Sequence, residues 1–229
     1  MNLLAFDTST EFLSIALQVD ERLWSFNAEA GATSSQRILP EIERLLEQAS
    51  IKLADLDGIA FGAGPGAFTG VRIACGVAQG LAFGANLPVV AVHTLMAVAQ
   101  ASGHDKVIVC QDARMGEIYF AAYTLKDAIW QTISPAIVCK PELAPALDGD
   151  GWVGAGSGWA AYEPILQSKY ASQLKAILPQ VTPTAQAVLT LAQPIFEAGL
   201  AQAAHEVAPI YIRNRVALTT QERTQGLRL

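Results

Sequence analysis

The sequence predicts a two-lobed α/β fold with duplicated mixed-sheet domains, residues 1–103 and residues 104–229. Two observations carry this. Residues 3–7 (Leu-Leu-Ala-Phe-Asp) form an apolar run that ends in a carboxylate, and the polar turn Thr8-Ser9-Thr10-Glu11 leads into a second apolar run, Phe12 to Val19. The same order returns about half a chain later: Val107 to Gln111, then Asp112, the turn Ala113-Arg114-Met115-Gly116-Glu117, and Ile118 to Tyr123.

The remaining elements follow in order. Arg22 to Ala28 alternates well enough for a third strand, so the first opening reads as a β-meander. Residues 34–49 form an amphipathic helix: Ile38, Leu39, Ile42, Leu45, Leu46 and Ala49 share one apolar stripe, and Glu41, Glu43, Arg44 and Glu47 fall mostly off it. A short strand at 57–61 precedes a Gly-rich loop and a helix over 69–84. A buried strand at 88–92 and a helix at 94–101 close the first half, and Gly103-His104-Asp105-Lys106 marks the boundary. In the second half the pattern weakens between residues 137 and 164, and 149–158 reads as a Gly-rich loop. Helical patterns return at 162–177 and 184–198, the latter kinked at Pro194. Two halves of this kind have the pattern of the actin, Hsp70 and sugar-kinase superfold (ASKHA), whose two Asp-bearing turns face a cleft that holds nucleotide phosphate. That is a likeness of fold, from which function does not follow.

Composition narrows the function classes. Of 229 residues, 52% are hydrophobic and 16% charged, enough for a substantial core. No stretch reads as the roughly 18 to 20 apolar residues of a membrane span. The N-terminus lacks a signal peptide's basic start and cleavage site, so it reads as a strand of the mature fold, and a cytoplasmic location is expected. Cys75, Cys110 and Cys139 are far apart in apolar runs, which suits neither a disulfide framework nor a zinc ribbon. The net charge is −6, and the nearest thing to a basic cluster is Arg213, Arg215, Arg223 and Arg228, interrupted by Glu222. Phosphate contacts supply most nucleic-acid affinity, so the chain is poorly equipped to grip RNA unaided.

Three motifs bear on chemistry. Gly62-Ala63-Gly64-Pro65-Gly66-Ala67 has the spacing of a relaxed dinucleotide fingerprint at a helix start. Pro65 removes a backbone donor, and the next strand ends Val90-Ala91-Val92-His93-Thr94 without an acid for a ribose hydroxyl, so a tight structural turn is the preferred reading. In the following helix Gly76, Gly80 and Gly84 lie four apart on one face, beside Ile73 and Val77. Each interior glycine costs about 1 kcal/mol relative to alanine. Three in register imply close approach of another element, either within the chain or across a subunit interface. The interface reading selects Ile38, Leu39, Ile42 and Leu45 from the 34–49 helix, and Arg72, Ile73, Gly76, Val77, Gly80 and Gly84 from the second. Finally, Asp7, Thr8, Ser9 and Asp112 are candidates to hold Mg²⁺-nucleotide in the cleft; the alternative is that each carboxylate caps its own turn. With three histidines and no H-x-x-x-H pair, no catalytic set and no metal site is assigned.

Five segments, spread in order over almost the whole chain, resemble the bacterial TsaB (YeaZ) family: Phe6 to Thr10, Gln36 to Pro40, Gly64 to Ile73, Asp112 to Tyr119 and Pro209 to Arg213. That family takes part in making N6-threonylcarbamoyladenosine at position 37 of tRNAs that read codons starting with A. The resemblance implies an actin/Hsp70-like fold and a heterodimer with the catalytic relative TsaD, joined by the ATPase TsaE. It implies pairing through the helices at 34–49 and 69–84, a homodimer when alone, tRNA contact only through the complex, and ATP and Mg²⁺ used by the partners. TsaD carries a metal-binding His pair early in its first lobe, whereas Ser34-Ser35-Gln36-Arg37 contains no His, as expected of a non-catalytic relative. The rival readings are an actin-fold ATPase or kinase using Asp7 and Asp112, and a glycoprotease-like peptidase.

Overall fold

Residues 1–213 are described by the computed structural model, and they form two five-stranded mixed sheets. The first contains β1 (Leu3–Asp7), β2 (Phe12–Val19), β3 (Arg22–Glu29), β4 (Gly58–Gly64) and β5 (Val89–His93), in the order β3-β2-β1-β4-β5. The second contains β6 (Lys106–Asp112), β7 (Ile118–Lys126), β8 (Ile129–Cys139), β9 (Trp152–Ala155) and β10 (Leu174–Leu178). Its order, β8-β7-β6-β9-β10, is the same permutation. In each sheet the first three strands form an antiparallel meander and the last two run parallel. The repeat seen weakly in the sequence is therefore a repeat of topology, and the chain has the two-lobed actin-like fold.

Helices cover both faces of the first sheet, so β1 and β4 are buried on both sides and read as continuous apolar runs. On one face, Leu4, Phe6, Leu13 and Ile15 pack against α1 (Ser34–Ala49) and α2 (Phe68–Ala85). On the other, Leu3, Ala5, Val90 and Val92 meet α3 (Thr94–Ala101) and the last helix, Ala185–Glu197. Leu95 and Val98 of α3 also enter the core of the second sheet, beside Val107 and Val109. The outer face of that sheet is covered by α4 (Gly158–Ala161) and α5 (Glu163–Tyr170), with Trp152, Trp159 and Tyr170 fully buried.

Several expectations need correcting. The helical pattern at 162–177 breaks after Tyr170, and Leu174–Leu178 is an edge strand parallel to β9. Five residues, Leu-Lys-Ala-Ile-Leu, are too few for periodicity to distinguish strand from helix. The weak region from residue 137 holds the end of β8 and the four-residue β9. β8 is an edge strand with Pro135 and register shifts, which blur its alternation. Contrary to the composition reading, the 18-residue α2 is long and apolar enough to cross a bilayer. Its Ala74, Cys75, Ala78 and Ala82 are packed into the core with β4, however, so here it covers a sheet.

The last helix, α6 (Ala185–Glu197), runs through Pro194, and the Thr184 side chain caps its start by accepting from the Ala187 N–H at 3.2 Å. Residues 185–213 lie mainly against the first sheet, not the second: the Ala185 N–H donates to Ser14 Oγ at 2.8 Å, and Gln202 bridges to Val89. Of the C-terminal arginines, Arg215, Arg223 and Arg228, with Glu222, lie outside the described residues.

Candidate assembly face and inter-lobe cleft

The α2 helix divides the expected interface residues sharply. Gly76, Gly80 and Gly84 are exposed, and a Cβ added at any of them would meet nothing within 4 Å. The close approach that three glycines in register imply is therefore not made within the described chain. Ile73 and Val77 are half-buried on the flank of the ridge, and Phe83 beside it is 83% exposed. Arg72, the only charge on α2, lies with its guanidinium carbon 3.2 Å from the centre of the Phe68 ring and 4.9 Å from that of Tyr211.

On α1 the expectation is corrected. Ile38, Ile42 and Leu45 are 0%, 3% and 1% exposed, packed in the core under β2. They are spent on the chain's own fold and offer nothing to a partner. Leu39, one position off the buried stripe, is the exposed one.

The cleft between the lobes has a volume of about 1230 Å³. Thr8 and Ser9 of the β1–β2 turn, the start of α2, Asp112 and Arg114, and residues 210–213 line it. Asp7 does not. It is 1% exposed beneath the turn; its Oδ1 accepts from the Ser9 N–H at 2.8 Å and the Ser9 hydroxyl at 2.7 Å, while Oδ2 is packed towards Gly62 without a partner. The Thr8 hydroxyl donates to Gly70 O at 2.7 Å, fastening the turn to α2. Asp112 faces the cleft but is also engaged. Its Oδ1 accepts from the Arg114 N–H and the Tyr162 hydroxyl, and its Oδ2 from the Arg114 guanidinium at 3.1 Å. Both carboxylates thus cap their own turns, the plainer of the two readings.

The Gly-rich loop is likewise structural. The Gly64 N–H donates to Thr94 Oγ1, the Ala67 N–H to Ser9 O, and Ala63 O accepts from the Ile210 N–H. A Cβ on Gly66 would stand 2.5 Å from Ser9 O, and Gly64 has a φ of +110°. Sequence reasoning missed Gln111 and Ser157, which bond across the cleft floor at 2.6 Å, and the part played by Arg213. No spacing signal links residues so far apart.

Burial pushes the Asp7 carboxyl up from 3.8 to about 6, against the opposing effect of its Ser9 bonds. The folded state therefore holds this proton while the unfolded state loses it. Its contribution to stability is full below about pH 4 and is lost as pH rises through about 6. In urea unfolding, the stability of the wild type relative to Asp7→Asn is expected to fall by on the order of 2–3 kcal/mol between pH 3 and pH 7. A difference that does not change with pH would refute this account of Asp7.

Comparison with known proteins is decisive about kinship. Residues 28–220 match the family model described as TsaD: tRNA N6-adenosine threonylcarbamoyltransferase. The tRNA threonylcarbamoyladenosine biosynthesis protein TsaB of Escherichia coli (strain K12) is 38% identical over 226 residues, covering 95% of this chain and 96% of that one. The chain belongs to the TsaB family. YeaZ from Pseudomonas aeruginosa superposes with a TM-score of 0.82 at 37% identity, over 92% of this chain and 99% of that one. A second Pseudomonas aeruginosa structure, an uncharacterized protein with similarity to peptidase YEAZ, gives 0.86 at 38% identity, over 93% and 99%. The TsaB-like segments converge in space: parts of those at 6–10, 64–73, 112–119 and 209–213 all line the cleft.

Proposed function

We propose that this chain is a non-catalytic scaffold and activating subunit in the formation of N6-threonylcarbamoyladenosine at position 37 of tRNAs reading codons starting with A, acting through heterodimerisation with a TsaD-like catalytic subunit. One observation carries the reading: the Gly76-Gly80-Gly84 ridge of α2 meets nothing among the described residues and adjoins the exposed Phe83. A ridge of this kind lets another helix approach to backbone distance. The pairing surface is α2 with the exposed Leu39 side of α1, and it serves a homodimer when the chain is alone. Metal and the threonylcarbamoyl donor belong to the partner, ATP turnover to a TsaE-like ATPase, and tRNA is reached through the cytoplasmic complex. One further observation supports a non-catalytic role: Asp7 is buried away from the cleft.

Reconstitution tests the reading. Omitting this chain from a mixture of the TsaD-like and TsaE-like subunits, tRNA, ATP and the other substrates is expected to remove the modified nucleoside seen by mass spectrometry. Undiminished modification would sink the proposal. The open cleft between two Asp-bearing turns keeps one rival, an actin-fold ATPase or kinase. Tight Mg-ATP binding with turnover by the isolated chain, read by calorimetry, would favour that rival. The peptidase alternative rests on the likeness to a protein described as similar to peptidase YEAZ, and chelator-sensitive proteolysis by the pure chain would support it.

A further inference from the structure

The last described segment of the chain touches both lobes. Val207 O accepts from Gln79 Nε2 at 3.0 Å on α2. The Ile210 N–H donates to Ala63 O at 2.7 Å, and Ile210 O is so near Gly64 that a Cβ there would stand 2.8 Å from it. Tyr211 lies beside Arg72 and Phe68 at the start of α2. Arg213 then reaches the other lobe. Its Nη2 donates to Glu117 Oε2 at 2.7 Å and to Ala113 O at 3.0 Å, and its side chain is only 13% exposed. A charge-assisted bond at that burial is among the stronger polar contacts available.

The turn it grips is strained. Arg114, Met115 and Gly116 follow one another at φ of 62°, 58° and 75°, a left-handed run that residues with a Cβ resist. Trp130 Nε1 of β8 also donates to Gln100 Oε1 of α3.

We infer that residues 207–213 are a latch that couples the inter-lobe cleft to the assembly face. Arg213 holds the β6–β7 turn and with it the closure of the lobes. The residues before it brace α2 through Gln79 and, at its start, through Phe68 and Arg72. Release of Arg213 loosens α2 where a partner helix packs, so a change in the cleft is felt at the assembly face. The link to partner binding rests on the scaffold reading; the latch itself does not.

Hydrogen exchange on the whole chain tests it, with Arg213→Ala, Glu117→Gln and the double variant compared after circular dichroism shows each to be folded. Glu117→Gln, the gentler change, keeps the test open should Arg213→Ala not fold. Exchange in 113–118, 207–213 and the 71–81 part of α2 is expected to rise about tenfold, with β1 and β2 unchanged and the double variant no worse than either single one. Faster exchange confined to the two substituted sites, with α2 unaltered, would overturn the latch. In binding to the TsaD-like subunit, Arg213→Ala is expected to weaken affinity about tenfold. Full affinity despite a loosened α2 would overturn the coupling. Absence of binding by the unaltered chain would instead sink the scaffold reading and leave the latch standing, because exchange is read without the partner.

Discussion

Replacing Gly80 with arginine is expected to abolish pairing with the TsaD-like subunit, and nucleoside modification with it, while the chain stays folded. The position meets open space among the described residues, so the new side chain has room. Arginine is also a better helix former than glycine by up to about 1 kcal/mol, so the fold does not suffer. At the proposed interface the same change does two kinds of damage. It holds the partner's backbone away from the ridge, and it buries a charge with no opposite charge on α2 to receive it. Loss of one well-packed contact and one desolvated charge is worth at least about 3 kcal/mol, or about a hundredfold in affinity. Light scattering on the mixed subunits reads the pairing, and mass spectrometry of tRNA digests reads the product. A full-strength heterodimer with Gly80→Arg would remove the glycine ridge from the argument.

Gly70→Ala, ten residues earlier on the same helix, is expected to do the reverse and unfold or severely destabilise the chain. A Cβ on Gly70 would overlap the backbone carbonyl oxygen of Thr8. That carbonyl belongs to the β1–β2 turn, which the Thr8 hydroxyl also ties to Gly70 O at 2.7 Å. Neither side can rotate away, so α2 or the turn has to move, at an expected cost above about 3 kcal/mol. Gly80→Ala, by contrast, is expected to add about 1 kcal/mol of stability. Urea unfolding of the two variants side by side gives opposite signs for one chemical change. A loss below about 1 kcal/mol for Gly70→Ala would mean that the helix and the turn do not approach so closely.

What the sequence could disclose depended on the kind of contact. β1 and β6 were legible because burial on both faces writes an apolar run ahead of each Asp, reaching Asp7 unbroken in β1 and stopping at Gln111 in β6. The bounds of α1 were legible from its stripe, yet the partner of that stripe was not. Amphipathicity says that Ile38, Ile42 and Leu45 are buried, and the core under β2 satisfies it as well as another subunit would. The glycines of α2 show the converse: their spacing announced a close approach, and only the fold shows that the described residues do not make it. Matched placement of Asp7 and Asp112 was legible, but not that one is sealed under its turn and the other held by Arg114 and Tyr162. The Arg213–Glu117 pair spans 96 residues, and nothing local in either segment marks it.

The return of α6 to the first sheet bears on how the protein is made. As β1 to β5 leave the ribosome, one face of their sheet has α1 and α2 at hand. The other, with Leu3, Ala5, Ala16, Ala60, Val90 and Val92, waits for a helix encoded almost a hundred residues after β5. The whole second lobe is synthesised in that interval, so the half that starts first is the half that finishes last. Such late, distant closure slows folding and leaves apolar surface bare in the meantime. The two lobes repeat one topology, but cutting the chain after β10 would not yield two working halves. It would leave one nearly complete lobe joined to a sheet that α3 covers only in part on one side.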